Sequence, residues 1–93
     1  MPRGSLDEQL LAIPTIDYIR ALTGLQTNRA GKVHCRFHHP DQTPSLHCYS
    51  DGTWFCFGCG AGGSIYDFAS RLWSTGTKGR ELLALRARLA IEL

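Results

Sequence analysis

The 93-residue sequence lacks both a long apolar run and an export signal. No apolar stretch approaches the ~20 residues that a transmembrane helix needs, which excludes a membrane span. Asp7 and Glu8 interrupt the N-terminal region before any apolar segment of the kind found in signal peptides. Internal repeats and low-complexity segments are also missing. We therefore expect a cytoplasmic protein with no membrane partner, of a length that suits one compact domain.

Acidic residues are few and scattered. None occurs between Asp17 and Asp41, and the run from 71 to 88 contains five basic residues against only Glu81. The basic residues of the first stretch are Arg20, Arg29, Lys32 and Arg36. Such runs are typical of nucleic-acid-binding surfaces and equally of solvated helix faces, so both interpretations stay open. Because no pattern groups the carboxylates for two-metal phosphoryl transfer, we expect no catalysis by this chain.

The four cysteines are the strongest chemical signal in the sequence. A cytosolic protein rarely keeps disulfides, so metal binding is the better interpretation. Two pairs, Cys35-x-x-His38 and Cys56-x-x-Cys59, are separated by 17 residues. Each two-residue spacer forms a tight knuckle that directs two ligands at one ion, and three thiolates with one imidazole complete a tetrahedral zinc site. No position remains for water, so the sequence predicts one structural Zn²⁺.

The other cysteine and histidine side chains are weaker ligand candidates. Cys48 lies in the middle of a predicted strand, where a small buried apolar residue is the simpler interpretation. His39 neighbours His38 and could substitute for it, although the Cys-x-x-His spacing is the tighter fit. His34 and His47 lie in predicted strands and are interpreted as ordinary surface or half-buried residues.

Apolar periodicity and turn residues predict short elements along the whole chain. Helices are expected near Leu6 to Ile13, from Thr15 to a stop at Gly24, from an N-cap at Ser64 through Trp73, and across Leu82 to Ile91. Strands are expected over 25–28, 32–35, 45–50 and 53–57, the last two joined by the turn Asp51-Gly52. This hairpin returns the second knuckle beside the first.

Two long motifs resemble the zinc motif of bacterial DNA primases. They are Cys-Arg-Phe-His-His-Pro-Asp-Gln-Thr-Pro-Ser-Leu from Cys35 and Cys-Phe-Gly-Cys-Gly-Ala-Gly-Gly-Ser-Ile-Tyr-Asp-Phe from Cys56. The resemblance covers roughly Pro14 to Trp73. It implies an α+β fold, namely a zinc ribbon with a small antiparallel sheet and flanking helices. The predicted organisation is an N-terminal segment over 1–13 with a possible tag remnant at 2–5, the ribbon over 14–73 and an amphipathic helix over 74–93.

The chain departs from the primase pattern at three positions. Arg36 stands where the family has proline, Gln42 where a basic residue is usual, and Asp51 where the family often carries lysine. These changes remove positive charge from places expected to meet template and add it at Arg36. No polymerase core follows within the 93 residues, so the resemblance implies a binding role and not catalysis.

The resemblance implies binding of single-stranded DNA template ahead of a primase core. From the residues themselves, Arg29, Lys32 and Arg36 are predicted to contact phosphates. Phe37, Tyr49, Trp54 and Phe57 are the candidate stacking rings, and Phe55, Phe57 and Phe68 are the expected core rings. Strand alternation puts Trp54 opposite Phe55, so Trp54 is the preferred stacking residue.

A second hypothesis is a protein-interaction module. The last helix is more apolar than a short domain needs on one face, so it could dock on a replicative helicase or on a separate polymerase subunit. The residues that carry this hypothesis are Leu82, Leu83, Leu85 and Leu89.

Overall fold

The computed structural model describes residues 5–37 and 44–93, which form helices around a small antiparallel sheet. The helices are α1 (Leu6–Leu11), α2 (Thr15–Thr23), α3 (Ile65–Trp73) and α4 (Gly79–Glu92). The strands are β1 (Lys32–Val33), β2 (Leu46–Cys48), β3 (Trp54–Cys56) and β4 (Gly62–Gly63), in that spatial order with antiparallel neighbours. The predicted α+β fold is confirmed.

Helices α2 and α3 begin and end where the sequence predicts. Gly24 adopts a left-handed conformation (φ 78°), and its N–H donates to the carbonyl of Arg20 to close the last turn of α2. Ser64 caps α3, and Asp67 accepts a hydrogen bond from the Ser64 N–H in return. This reciprocal capping box satisfies backbone donors that the helix itself leaves open.

One predicted strand is missing and one unpredicted strand is present. Residues 25–28 form no strand, because the Asn28 side chain accepts hydrogen bonds from the N–H groups of Ala30 and Lys32 and holds a tight turn instead. Strand β4 consists of two glycines, which have low strand propensity and give no sequence signal. A Cβ on Gly62 would come within 2.7 Å of the Phe55 ring, so the close approach of β4 to β3 requires glycine.

The core lies between the inner face of the sheet and helices α2 and α3. Trp54 from β3 packs against Phe37 and Phe68, with ring centroids 5.5 Å apart in both pairs. Tyr18 from α2 contacts Phe68 at 5.8 Å. Aromatic pairs in these tilted or edge-to-face arrangements stabilise the fold beyond the apolar area that they bury.

Helix α2 also anchors the turn that connects β2 and β3. The buried Thr15 hydroxyl lies 3.0 Å from the Tyr49 carbonyl and 2.8 Å from that of Thr53. The Tyr18 hydroxyl donates to the Gly52 carbonyl at 2.8 Å. Across the described residues, every buried side-chain nitrogen or oxygen has a hydrogen-bond partner. These bonds fix the hairpin turn against the helix and therefore set the position of the sheet.

Replacement of Tyr18 by phenylalanine tests this anchor. The variant keeps the ring packing on Phe68 but leaves the Gly52 carbonyl without its buried donor, so we expect a loss of about 1–3 kcal/mol of unfolding free energy. Urea unfolding of the zinc-loaded protein measures the difference. Tyr49→Phe is the matched control, because the Tyr49 side chain is exposed and should be neutral within about 0.5 kcal/mol. Equal midpoints for the two variants would refute the anchoring role.

Helix α4 contributes to the core together with α1 and α3. It packs against α1 and α3, and its Leu85 and Leu89 side chains are buried in the common core. The burial of these two leucines explains much of the apolar character of the helix, whereas Leu83 is exposed. In the described parts of the chain, no helix is both long and apolar enough to cross a membrane.

Candidate metal centre and sheet surface

Three cysteines converge at one end of the sheet. Cys35 follows β1 and is buried, Cys56 ends β3 and is buried, and the exposed Cys59 follows in the next turn. In this turn the Gly60 N–H donates to the Cys56 carbonyl at 2.8 Å, and Gly60 takes a positive φ of 75°. Glycine adopts this conformation without strain, as the second knuckle requires.

The geometry of the three sulfurs fits a tetrahedral zinc ion. Their Sγ atoms all lie within 4.8 Å of one another, and the Cys35 and Cys59 sulfurs are 4.0 Å apart. Zinc–sulfur bonds of ~2.3 Å at tetrahedral angles place two sulfurs about 3.8 Å apart, so only small adjustments are needed. A set of three soft thiolates is the donor chemistry that zinc prefers.

The sulfurs of Cys35 and Cys56 have hydrogen-bond partners outside the three-cysteine group. The Phe37 N–H donates to the Cys35 sulfur at 3.4 Å, and Ser45 Oγ lies 3.4 Å from the Cys56 sulfur. Burial acts to raise the pKa of Cys56, but hydrogen bonds from the Ser45 hydroxyl and from backbone N–H groups in the second knuckle lower it to about 6. Burial raises the pKa of Cys35. A bound zinc ion deprotonates its thiol ligands outright and removes this difference.

The remaining ligand candidates are Cys48 and the two histidines His38 and His39. Cys48 does not belong to the three-cysteine group; it is half-buried on the inner face of β2, and burial raises the pKa of its thiol to about 11. His38, the predicted fourth ligand, lies outside the described residues, as does the alternative His39. The predicted use of His38 therefore stays a prediction.

The prediction that Trp54 presents its ring to solvent is wrong. Trp54 is 1% exposed, and its indole N–H donates to the Ser64 carbonyl at 2.9 Å. Trp54 and Phe55 do lie on opposite faces of β3, as predicted, but Trp54 occupies the buried face and Phe55 the outer one. The position of Cys56 could have predicted the buried face of β3. Residues two positions apart in a strand share a face, so Trp54 lies on the same side as Cys56, which is buried in the three-cysteine group.

The opposite face of the sheet carries a cluster of rings, which we call the outer aromatic face. Its members are His47, Tyr49, Phe55 and Phe57. The Phe57 centroid lies 4.6 Å from that of His47 and 4.8 Å from that of Phe55. Phe57, a candidate both for stacking and for the core, is 64% exposed, so its placement in the core is wrong; Tyr49 is 43% exposed. Packing within the domain does not explain why these large rings are exposed together, and a grouped set of exposed apolar side chains is typical of an interaction site.

The predicted basic contacts border this face. Lys32 pairs directly with His47 across β1 and β2, which places both side chains on the outer face. Arg29 precedes β1 and Arg36 follows it, and both are exposed. Because β1 is at the edge of the sheet, Lys32 lies at one side of the outer aromatic face, and Arg29 and Arg36 flank that edge strand in sequence.

A four-stranded ribbon with three cysteines gathered on its two knuckles defines a structural zinc-binding domain. The sequence model of the CHC2 zinc finger, the zinc ribbon of DnaG-type primases, matches residues 7–89. The chain belongs to this family, and its cofactor is zinc. The predicted resemblance to bacterial primases is thereby confirmed.

A solved structure supports the same assignment. The chain is similar to the Aquifex aeolicus primase, whose crystal structure contains the zinc-binding and RNA polymerase domains, with a TM-score of 0.65 and 29% identity. The match covers 96% of this chain and 22% of the primase chain, so this chain spans about a fifth of that protein. No curated protein sequence matches it.

Proposed function

We propose that this chain binds single-stranded DNA template as the zinc-binding module of a primase or a primase-like replication protein. The observation that carries the proposal is the outer aromatic face, where Phe57 and Tyr49 are exposed beside Lys32. Rings and cations side by side are the two components of single-strand binding surfaces, since rings stack on bases and cations contact phosphates. Membership of a primase zinc-finger family and likeness to the Aquifex primase support it.

The exposed rings favour a single strand over a duplex. In a duplex the base faces are already stacked on one another, whereas an unpaired strand can turn its bases toward aromatic side chains. Phe57 and Tyr49 both border His47, so the exposed rings form one continuous patch. A strand crossing this patch would pass Lys32 at the sheet edge, with Arg29 and Arg36 at the two ends of β1.

Zinc would support this surface from the side. It joins the end of β1 at Cys35 to the end of β3 at Cys56, so it fixes the two strands that carry Lys32 and Phe55. With His38 as the proposed fourth ligand, no coordination position stays open for water. We infer that the module contributes binding and no chemistry, and template-dependent primer synthesis by the pure chain would contradict this.

Replacement of Phe57 by alanine tests the stacking surface. Loss of one base–ring contact should weaken binding of a labelled oligothymidylate by about 5- to 150-fold, with the salt dependence unchanged. Lys32→Ala should weaken binding and lower the slope of log affinity against log salt by about 0.7, because one phosphate contact is lost. Fluorescence anisotropy titrations at several salt concentrations measure both effects.

Leu83→Ala is the matched control, since Leu83 is also an exposed apolar side chain but lies on α4, which packs against α1 and α3 and contributes no residue to the outer aromatic face. It should bind like the wild type. Equal affinity of the Phe57, Lys32 and Leu83 variants, or no binding of wild type at low salt, would exclude the outer aromatic face. If only the Leu83 variant bound more weakly, the binding surface would lie on α4 and not on the outer aromatic face.

A further inference from the structure

His47 occupies the centre of the outer aromatic face. It is the middle residue of β2, so its backbone pairs with Lys32 on one side and with Phe55 on the other. Its ring lies 4.6 Å from the Phe57 centroid in an edge-to-face arrangement and 6.3 Å from the Tyr49 centroid. Any strand that contacts both exposed rings must therefore pass over this imidazole.

The groups around His47 disfavour the protonated form of its ring in the free protein. Among the described residues, Lys32 faces it from β1 and Tyr49 lies just past the end of β2. The uncharged rings of Phe55 in β3 and of Phe57, just past the end of β3, also border it. Partial burial and the charge of Lys32 both lower the pKa of His47 below its ordinary value. Two like charges directly opposite on neighbouring strands destabilise a sheet, so a charged His47 needs an anion beside it.

We propose that His47 takes up a proton when a single strand binds and contacts the phosphate backbone together with Lys32. The inference rests on the proposed function and names the group that couples it to pH. A phosphate between the two side chains removes the repulsion that opposes protonation. His47 then acts as a neutral ring without DNA and as a second cation with it.

The direction of the pH dependence follows from this coupling. If binding raises the pKa of His47, the gain in affinity is complete below the pKa of the free protein and is lost as pH rises through the pKa of the complex. Each unit of difference between the two values corresponds to a tenfold change in affinity. Wild-type affinity should therefore rise severalfold as pH falls from 8 to 6.

The experiment measures binding of labelled oligothymidylate to the full zinc-loaded chain between pH 6 and 8 at constant ionic strength, with zinc content checked at each pH. His47→Gln should show a flat pH profile, so that its affinity falls further behind that of wild type as the pH is lowered. His47→Lys should bind tightly at every pH, also with a flat profile. His34→Gln, which changes an exposed histidine after β1, should keep the wild-type profile. Imidazole NMR signals should report a higher pKa for His47 in the complex.

The outcomes separate the two proposals. A wild-type pH profile retained by His47→Gln, or an unchanged His47 pKa on binding, would overturn the proton coupling while leaving DNA binding in place. Binding by wild type with no pH dependence would do the same. Absence of binding at every pH would overturn the proposed function, and this inference with it.

Discussion

Cys56→Ser is expected to abolish zinc binding and with it the folded state. Cys56 is fully buried at the end of β3, and its sulfur is one of three within 4.8 Å of one another. Structural zinc contributes roughly 10–16 kcal/mol to folding in zinc-finger peptides, which matches or exceeds the ~5–15 kcal/mol net stability of a typical domain. Loss of the ion should therefore convert the chain to an unfolded ensemble, visible by circular dichroism and by metal analysis.

Cys48→Ser is the matched control for this prediction. Cys48 is half-buried, lies two residues past Leu46 on the inner face, and does not belong to the sulfur cluster. The variant should retain one zinc per chain and unfold cooperatively. Zinc retained by the Cys56 variant and lost by the Cys48 variant would disprove the ligand set. His38→Ala extends the experiment to the proposed fourth ligand, and full zinc retention there would favour His39 or another donor.

Trp54→Ala should destabilise the domain by about 3–5 kcal/mol. The variant removes a fully buried indole that contacts Phe37 and Phe68 and whose N–H donates to the Ser64 carbonyl at the start of α3. The indole joins β3 to α3 and to the Phe37 ring, so little local collapse can fill the cavity that its removal leaves. Thermal or urea unfolding of the zinc-loaded variant measures the loss.

Phe57→Ala is the informative comparison, because it truncates an aromatic residue only three positions away. Phe57 is 64% exposed, and its removal should change the free energy of unfolding by no more than about 0.5 kcal/mol. The two variants thus separate stability from binding: Trp54→Ala should destabilise the domain, and Phe57→Ala should weaken DNA binding in a protein of nearly unchanged stability. The reverse pattern would show that the two faces of β3 have been assigned incorrectly.

Local chemistry made much of this protein predictable. The spacing of Cys35, Cys56 and Cys59 indicates one metal site because each knuckle is a short-range constraint on the backbone. Gly24 and Ser64 mark helix boundaries through conformations and hydrogen bonds that span three or four residues. Such signals depend little on distant packing, and the structure reproduces them.

The orientation of the β2–β3 hairpin was not predictable in the same way. Alternation along a strand divides residues into two sets, and both Trp54 and Phe55 are apolar enough for either side. The choice depends on long-range partners: the metal ligand Cys56, the Phe68 ring from α3, and the anchoring of the turn by Tyr18. These contacts bury Trp54 and leave Phe57 in solvent.

Long-range contacts also determine the pairing of strand β4 and the composition of the outer aromatic face. Two glycines have no strand signature, and they pair with β3 only because the second knuckle returns the chain beside it and Phe55 needs a neighbour without a side chain. Residue spacing along the chain therefore specified the metal chemistry and the ends of α2 and α3. Which rings face solvent was decided by packing across the sheet, because burial depends on what lies opposite a residue and not on its neighbours in sequence.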